Sequence, residues 1–404
     1  MVYGLLGRTL SYSYSPRIHK ALAGYDYTLF EKEPEQLAEF LQSGEFDGLN
    51  VTIPYKKSVI PYLDQLSPVA KRLGAVNTIV RKPDGTLIGH NTDYFGFSAM
   101  VSNAGIQVAD KKALVLGSGG ASNTAVAVLK ELGANVIVIS RSGENNYSNL
   151  QLHRDAALIV NATPVGMFPN VDDTPVSLDG FPKLEAVLDL NYNPSRTKLL
   201  LDAESRGLIA VNGLLMLVAQ AKESAEWFTG TSIPEEKIAE VQMSLSSQME
   251  NIILIGMPGC GKSTVAKLLS EELQRPVIDA DEKIVHTAGC SIPEIFAQGG
   301  EDAFRKLETR VLMELGKESG KIIATGGGCV TREENYPLLH RNGKIIWLTR
   351  ELDKLPTEGR PLSQITKMET MFETRKPMYQ RFADYIVSND GSAEETVAAI
   401  RRLL

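Results

Sequence analysis

The chain has 404 residues, 43% hydrophobic and 23% charged, so it is long enough for two or three domains with buried cores and unlike a disordered, collagenous or membrane-embedded polypeptide. Its 42 Lys and Arg against 49 Asp and Glu give a net charge of -7 with no long basic run, which predicts small molecules rather than nucleic acid or a membrane as partners. Three cysteines, Cys260, Cys290 and Cys329, lack disulfide or metal-ligand pairing in their spacing, and neither a signal-like start nor an apolar run of membrane-spanning length occurs, so the expectation is a cytoplasmic protein; the oligomeric state is left open.

From Val2 to about Gly105, the apolar runs Tyr3 to Leu6 and Leu49 to Ile53 alternate with the helical patterns Pro16 to Ala23 and Gln36 to Leu41, an α/β signature. Apolar runs on both sides of Pro83-Asp84-Gly85 predict a hairpin over 78–89. At Lys112 a second unit begins. The strand Ala113 to Leu116 runs into Gly117-Ser118-Gly119-Gly120-Ala121-Ser122, a helical run follows to Leu132, and Asn135 to Ser140 closes a βαβ pattern of the kind that binds nucleotides. Strands at Leu158 to Val160 and Ala186 to Leu190 come next, then helical stretches from Leu214 to Trp227 and from Pro234 to about Met243. The polar stretch Ser244 to Glu250 reads as a linker, because a fresh buried-strand pattern, Ile252 to Ile255, starts just after it. The expected division is therefore 1–105, completed by helices within 214–243, then 106–213, the linker 244–250, and 251–404.

Gly256-Met257-Pro258-Gly259-Cys260-Gly261-Lys262-Ser263 matches the phosphate-binding pattern GxxxxGK[ST] between a strand and a helical run. Backbone NH groups of Gly259, Cys260, Gly261, Lys262, Ser263 and Thr264 would gather around ATP phosphates, Lys262 would add a point charge, and the Ser263 hydroxyl suits Mg²⁺.

Further along stand Asp279-Ala280-Asp281, Phe304-Arg305-Lys306-Leu307-Glu308, Gly326-Gly327-Gly328, Gly359-Arg360-Pro361-Leu362 and Arg375-Lys376-Pro377-Met378-Tyr379. In this order they resemble shikimate kinase across the whole domain. The resemblance implies that Asp281 accepts the substrate hydroxyl proton, that Asp279 lies near Mg²⁺, and that Arg305 and Arg375 clamp a carboxylate with their guanidinium forks. It further implies that Gly327 and Gly328 let backbone approach the ring and that Arg360 reaches over the phosphates from a lid. The lid stretch Arg350 to Ser363 is more compact than is usual in that family.

In the first half, Ser13-Tyr14-Ser15-Pro16, Asn50 to Lys56, Gly74 to Thr78, Asn91-Thr92-Asp93, Asn161 to Met167 and Gln220 resemble shikimate dehydrogenase from end to end. Hydride addition to a ketone makes an alkoxide that must be protonated, and the resemblance assigns this work to Lys56 with Asp93. It also implies that Ser13, Ser15, Thr52, Asn77, Tyr192 and Gln220 bind substrate, and that Gly117, Ser118, Gly119, Gly120, Ala121, Ser140, Arg141 and Thr163 bind NADP. Where an NAD site usually holds Asp or Glu at the end of its second strand, Ser140-Arg141-Ser142 stands instead, which favours NADPH. No second basic residue follows in Gly143-Glu144-Asn145-Asn146, so a weak grip on the 2′-phosphate is expected, and Ser142 to Ala157 is too short for the family's usual helix and strand.

Together these readings predict an α/β protein: an α/β substrate domain with a Rossmann-like NADP-binding domain, followed by a P-loop kinase domain with a parallel sheet. The implied activity is bifunctional, reduction of 3-dehydroshikimate to shikimate with NADPH and then phosphorylation to shikimate 3-phosphate with ATP and Mg²⁺. Two alternatives stay open: a quinate/shikimate dehydrogenase using NAD in the first half, or one half acting as a non-catalytic shikimate-binding regulator.

Overall fold

Buried apolar runs alternating with amphipathic helices resolve into three sheets in a computed structural model, which describes residues 1–10, 13–355 and 368–404. The chain divides into two units, Met1–Tyr192 with Thr197–Leu245, and Asn193–Arg196 with Ser246–Leu404.

The first sheet contains β1 (Tyr3–Gly7), β2 (Tyr27–Glu31), β3 (Gly48–Val51), β4 (Gln65–Leu66), β5 (Thr78–Arg81) and β6 (Leu87–His90), in the order β2-β1-β3-β5-β6-β4. β1 is buried along its length, as expected of a continuous apolar strand paired in parallel on both sides. The predicted hairpin forms: β5 and β6 pair antiparallel, with Thr78 opposite His90 and Arg81 opposite Leu87. The helix Leu214–Thr229 packs against the helix Ser15–Ala23 and against β5, so a late part of the sequence completes this first layer. Gly48 is what admits it, since a Cβ there would overlap the Phe228 ring.

The second sheet, β7 (Lys112–Leu116), β8 (Asn135–Ile139), β9 (Leu158–Asn161), β10 (Ala186–Asp189) and β11 (Ile209–Asn212), is parallel throughout. Its order β11-β10-β9-β7-β8 reverses direction between β7 and β9, and ligands of open α/β sheets bind at the carboxyl ends of the strands at such a point. Gly117, at φ 109, follows β7; an added Cβ would lie 3.1 Å from Ala162 O and from Thr163 Cγ2 after β9, so the two strand-end loops touch. Between Arg141 and Asn149 there are only turns, then a short 3-10 helix, Leu150–His153, in keeping with the expected shortness of this region.

One expectation is corrected. Residues 244–249, expected as a linker, are the last turns of a helix, Glu236–Met249, and the division between the two units falls within them. Val241, Leu245 and Met249 recur every four residues and are all buried, and that apolar stripe sustains the helix through the intervening serines.

The third sheet, β12 (Asn251–Ile255), β13 (Val277–Asp279), β14 (Ile322–Ala324), β15 (Gly343–Thr349) and β16 (Tyr385–Ser388), is parallel in the order β13-β14-β12-β15-β16. β12 lies at its centre and its residues are all buried, so the loop after it opens at the switch point of the sheet. Gly256, Gly259 and Gly261 take φ of 145, 85 and 95 there before the helix Lys262–Leu273 begins, a backbone path that side-chain-bearing residues rarely follow.

Candidate functional site

In the first unit a cavity of about 240 Å³ is lined by Ser13, Ser15, Thr52, Lys56, Asn77, Asp93, Tyr192 and Gln220. The structure thus brings together every substrate-side residue singled out from the sequence. Lys56 Nζ donates to Asp93 Oδ2 at 2.6 Å, in a pair whose side chains are 23% and 11% exposed. Asp93 opens the helix Asp93–Asn103, where the positive end of the helix dipole favours a carboxylate. Its other oxygen accepts from Asn77 Nδ2 at 2.9 Å, while Asn77 Oδ1 accepts from Thr92 N at 2.7 Å. Gln220 Oε1 lies 3.4 Å from Asn77 Nδ2 and from Thr92 Oγ1. Burial raises the Tyr192 phenol above its ordinary pKa, and the ring meets Tyr14 edge-on at 6.2 Å.

Ala121 also lines this cavity, and a Cβ on Gly120 would come within 3.9 Å of Lys56 Cδ. The helix Gly120–Glu131 therefore presents its amino end, preceded by Gly119 with open space around it, next to Lys56. Such an end carries unpaired NH donors suited to a phosphate group. Ser122 Oγ closes the turn by donating to Gly117 O at 2.7 Å, and Thr163 Oγ1 donates to Asn161 Oδ1 at 2.6 Å. Ser140 is half-buried at the end of β8 and Arg141 is exposed. The turn beyond them is tied by asparagines, with Asn149 Nδ2 donating to Glu144 O at 2.9 Å and His153 Nε2 lying 2.9 Å from Asn145 Oδ1.

Sequence reasoning assigned no role to Asn50, Thr78, Thr92 or Ser224, which form a buried polar floor. Asn50 Nδ2 donates to Ser224 Oγ at 2.8 Å and to Thr78 Oγ1 at 3.1 Å, and Thr92 Oγ1 lies 2.9 Å from Ser224 Oγ. Ser224 stands one helical turn after Gln220, a spacing of four that was visible in the sequence but mute about its partners.

In the second unit a cavity of about 720 Å³ runs from the glycine loop to Phe296 and Phe304 and is lined by Gly259, Gly261, Lys262, Ser263, Thr264, Asp279, Asp281, Arg305, Gly327, Gly328 and Arg375. Cys260, expected in the loop's cradle, turns its side chain into the core at 0% exposure. Lys262 Nζ donates to the Gly256 and Met257 carbonyls at 2.9 and 3.0 Å, which holds the ammonium over the loop. Ser263 Oγ donates to Asp279 Oδ2 at 2.8 Å, and Asp279 Oδ1 accepts from Asp281 N at 3.0 Å at the start of the helix Ala280–Ala288. A hydroxyl beside a carboxylate at a phosphate loop fits Mg²⁺ that completes its shell with phosphate oxygens and water. Among the described residues no group of three or more His, Cys, Asp or Glu gathers as a metal cage.

Arg305 is 5% exposed, and its Nη1 donates to Glu308 Oε2 at 2.7 Å. Arg375 Nη1 donates to Gly327 O at 3.0 Å, and Tyr379 OH donates to the same carbonyl. A Cβ on Gly328 would overlap the Arg305 guanidinium, and one on Gly327 would press on Pro258, so both glycines are required by close approach. Glu308, at the end of the run Phe304 to Glu308, has no role assigned by sequence. Burial raises its pKa against the pull of Arg305, and its Oε1 has no hydrogen-bond partner among the described residues. Arg350 also lines the cavity, and Arg360 lies outside the described residues.

The family model for the shikimate dehydrogenase substrate binding domain matches residues 5–79, and that for shikimate kinase matches 258–404. The shikimate dehydrogenase (NADP(+)) of Clostridium beijerinckii is 38% identical over 244 residues, which are 55% of this chain and 90% of that protein. Among solved structures, the shikimate 5-dehydrogenase of Thermus thermophilus in complex with NADP(H) and shikimate aligns with a TM-score of 0.56 at 32% identity, covering 60% of this chain and 99% of that one. The quinate dehydrogenase of Corynebacterium glutamicum in complex with NAD aligns with a TM-score of 0.56 at 27% identity over 60% of this chain and 99% of its own.

Proposed function

The chain belongs to the shikimate dehydrogenase family and carries a shikimate kinase domain, and from that premise we propose that one polypeptide performs two consecutive steps: NADPH-dependent reduction of 3-dehydroshikimate, then ATP-dependent phosphorylation of the shikimate formed. It is a shikimate pathway enzyme with both activities. The observation that carries the reduction is the Lys56–Asp93 pair, set in one cavity with the amino end of the nucleotide-side helix.

NADPH supplies the hydride when bound. The alkoxide left on the ring takes its proton from the Lys56 ammonium, which Asp93 orients and leaves only partly exposed, and Asn77 fixes Asp93 from its other side. Ser13, Ser15, Thr52, Tyr192 and Gln220 offer the hydroxyl and amide groups that would orient a polyhydroxylated carboxylic acid. Gly117 to Ala121 and Thr163 border the place for the pyrophosphate and nicotinamide, with Ser140 and Arg141 toward the adenosine ribose. Reduction thus consumes one hydride and one proton, and makes a hydroxyl.

In the kinase domain ATP provides the phosphoryl group. Asp281 accepts the proton of the attacking hydroxyl, Arg305 and Arg375 hold the carboxylate, and Lys262 balances charge on the phosphates. Ser263 and Asp279 would hold Mg²⁺. No helix among the described residues is long and apolar enough to cross a membrane, and a cytoplasmic location fits the cysteine usage.

A coupled assay tests the whole reading. Dehydroshikimate, NADPH and ATP with Mg²⁺ should yield shikimate 3-phosphate, with one NADPH oxidised per product; formation of shikimate alone would leave the kinase reading without support. The exposed Arg141, with no second cation in Gly143 to Asn146, favours measuring NADH and quinate alongside, because a weakly held 2′-phosphate lowers the margin between coenzymes.

A further inference from the structure

Asp189 closes β10 at 0% exposure and lines neither cavity. A buried carboxylate among the apolar residues of a parallel strand is costly unless its oxygens are satisfied. Here they are. Oδ1 accepts from Asn161 Nδ2 and from the Asn191 backbone NH, both at 3.0 Å, and Oδ2 accepts from Thr197 Oγ1 at 2.7 Å.

The two asparagines extend these bonds in opposite directions. Asn161 Oδ1 accepts from Thr163 N at 3.1 Å and from Thr163 Oγ1 at 2.6 Å, in the loop whose Thr163 methyl faces Gly117 of the nucleotide-side turn. Asn191 lies between Leu190 and Tyr192, which line the substrate cavity, and its side-chain NH₂ donates to Thr163 O at 3.0 Å and Val165 O at 3.2 Å. Its carbonyl accepts from the NH of Gly213, another cavity residue, at 3.0 Å.

We propose that Asp189 is a positioning residue for the reduction, fixing the coenzyme-side loop 161–165 and the substrate-side loop 190–192 against each other through one carboxylate. This rests on the dehydrogenase reading above. The two groups on Oδ1, the Asn161 NH₂ and the Asn191 backbone NH, are donors only, whereas the Thr197 hydroxyl on Oδ2 can donate or accept. An amide could therefore keep all three bonds, and only removal of the whole carboxyl group, as in Asp189→Ala, releases both loops. Burial pushes the pKa of Asp189 up to about 6, against the lowering effect of its hydrogen bonds. Thr197 caps the helix Lys198–Ser205 and meets Oδ2, whereas the bonds from the two loops meet Oδ1, so its removal tests fold stability apart from loop placement.

The test compares Asp189→Ala with Thr197→Val in the full chain, by NADPH binding from fluorescence titration, steady-state kinetics and Tm. Misplacement of about 1 Å away from the chemistry can cost about 100-fold. Asp189→Ala should therefore raise both the Kd for NADPH and the KM for dehydroshikimate, with kcat/KM falling roughly 10- to 100-fold. Thr197→Val should lower Tm with both constants near parental. Asn161→Ala provides a second variant should Asp189→Ala fold poorly, and should weaken NADPH more than dehydroshikimate. Parental NADPH affinity and KM in a folded Asp189→Ala, or losses in Thr197→Val as large as those in Asp189→Ala, overturn the positioning role. A parental chain that binds NADPH but reduces no dehydroshikimate overturns the dehydrogenase reading alone, and the binding comparison still decides Asp189's effect on the coenzyme-side loop.

Discussion

Lys56 Nζ lies 2.6 Å from Asp93 Oδ2, across 37 positions of sequence, and the partner carboxylate oxygen is held by Asn77. The ammonium is thereby oriented by a carboxylate that is itself fixed. Lys56→Ala should lower kcat for dehydroshikimate reduction by about 10² to 10⁴, the usual contribution of a positioned proton donor. Kinase turnover measured separately on shikimate should be parental, and a near-full reductase rate in the variant would remove Lys56 from the role.

Lys262→Ala and Asp281→Asn address the other half. The first takes a charge away from the phosphate loop and the second takes away the proton acceptor, so ATP-dependent phosphorylation should fall by at least about 100-fold in each while NADPH oxidation is kept. Phosphorylation by Asp281→Asn at the parental rate would place the proton acceptor elsewhere.

Gly328 and Arg305 give a steric prediction. A Cβ at Gly328 would occupy the space of the guanidinium that Glu308 holds, so Gly328→Ala must displace Arg305. Losing one charge-assisted hydrogen bond to a carboxylate is worth roughly 1.5–3 kcal/mol, which predicts a KM for shikimate in the kinase reaction raised about tenfold or more. An unchanged KM would show that Arg305 does not reach the acid.

Arg141 is exposed after β8, near enough to Tyr147 to act on its phenol electrostatically. Arg141→Ala should raise the KM for NADPH several-fold while leaving that for NADH near parental, because only NADPH carries a 2′-phosphate for a guanidinium to pair with. Equal effects on the two coenzymes would show that the side chain points away from the ribose.

His19 supplies a pH dependence. Burial lowers its pKa from 6.5 to about 3, with Tyr25 OH 2.6 Å from Nδ1 and the Tyr27 ring stacked on it at 4.1 Å. A folded-state pKa below the unfolded one means that stability is fully present above pH 6.5 and is lost as pH falls toward 3. At about 1.4 kcal/mol per unit, the loss in the first unit is on the order of 5 kcal/mol. Urea unfolding at pH 7.5 and 4.5 should show His19→Phe with a smaller drop between the two pH values than the parental chain, and an equal drop would assign acid sensitivity to other groups.

Much of the fold was legible in the sequence because it is written locally. A strand followed by glycines and a helical run identifies the turns at Gly117 and Gly256, since only glycine follows those positive φ angles without strain and the periodicity on either side is that of strand and helix. The order of short polar runs pointed to many of the residues around both cavities, but gave no role to Asn50 or Glu308, which line them too. What the sequence could not show depends on contacts made far along the chain. Asn50 meets Ser224 across 174 positions, and nothing in either neighbourhood announces the other. Residues 244–249 read as a linker by composition but continue a helix, because burial of Val241, Leu245 and Met249 on one face outweighs the weak helix preference of the serines between them. Asp189 looks like a polar strand end until the fold sets Asn161, Asn191 and Thr197 around it; only then does a costly buried charge become the point where two loops are held together.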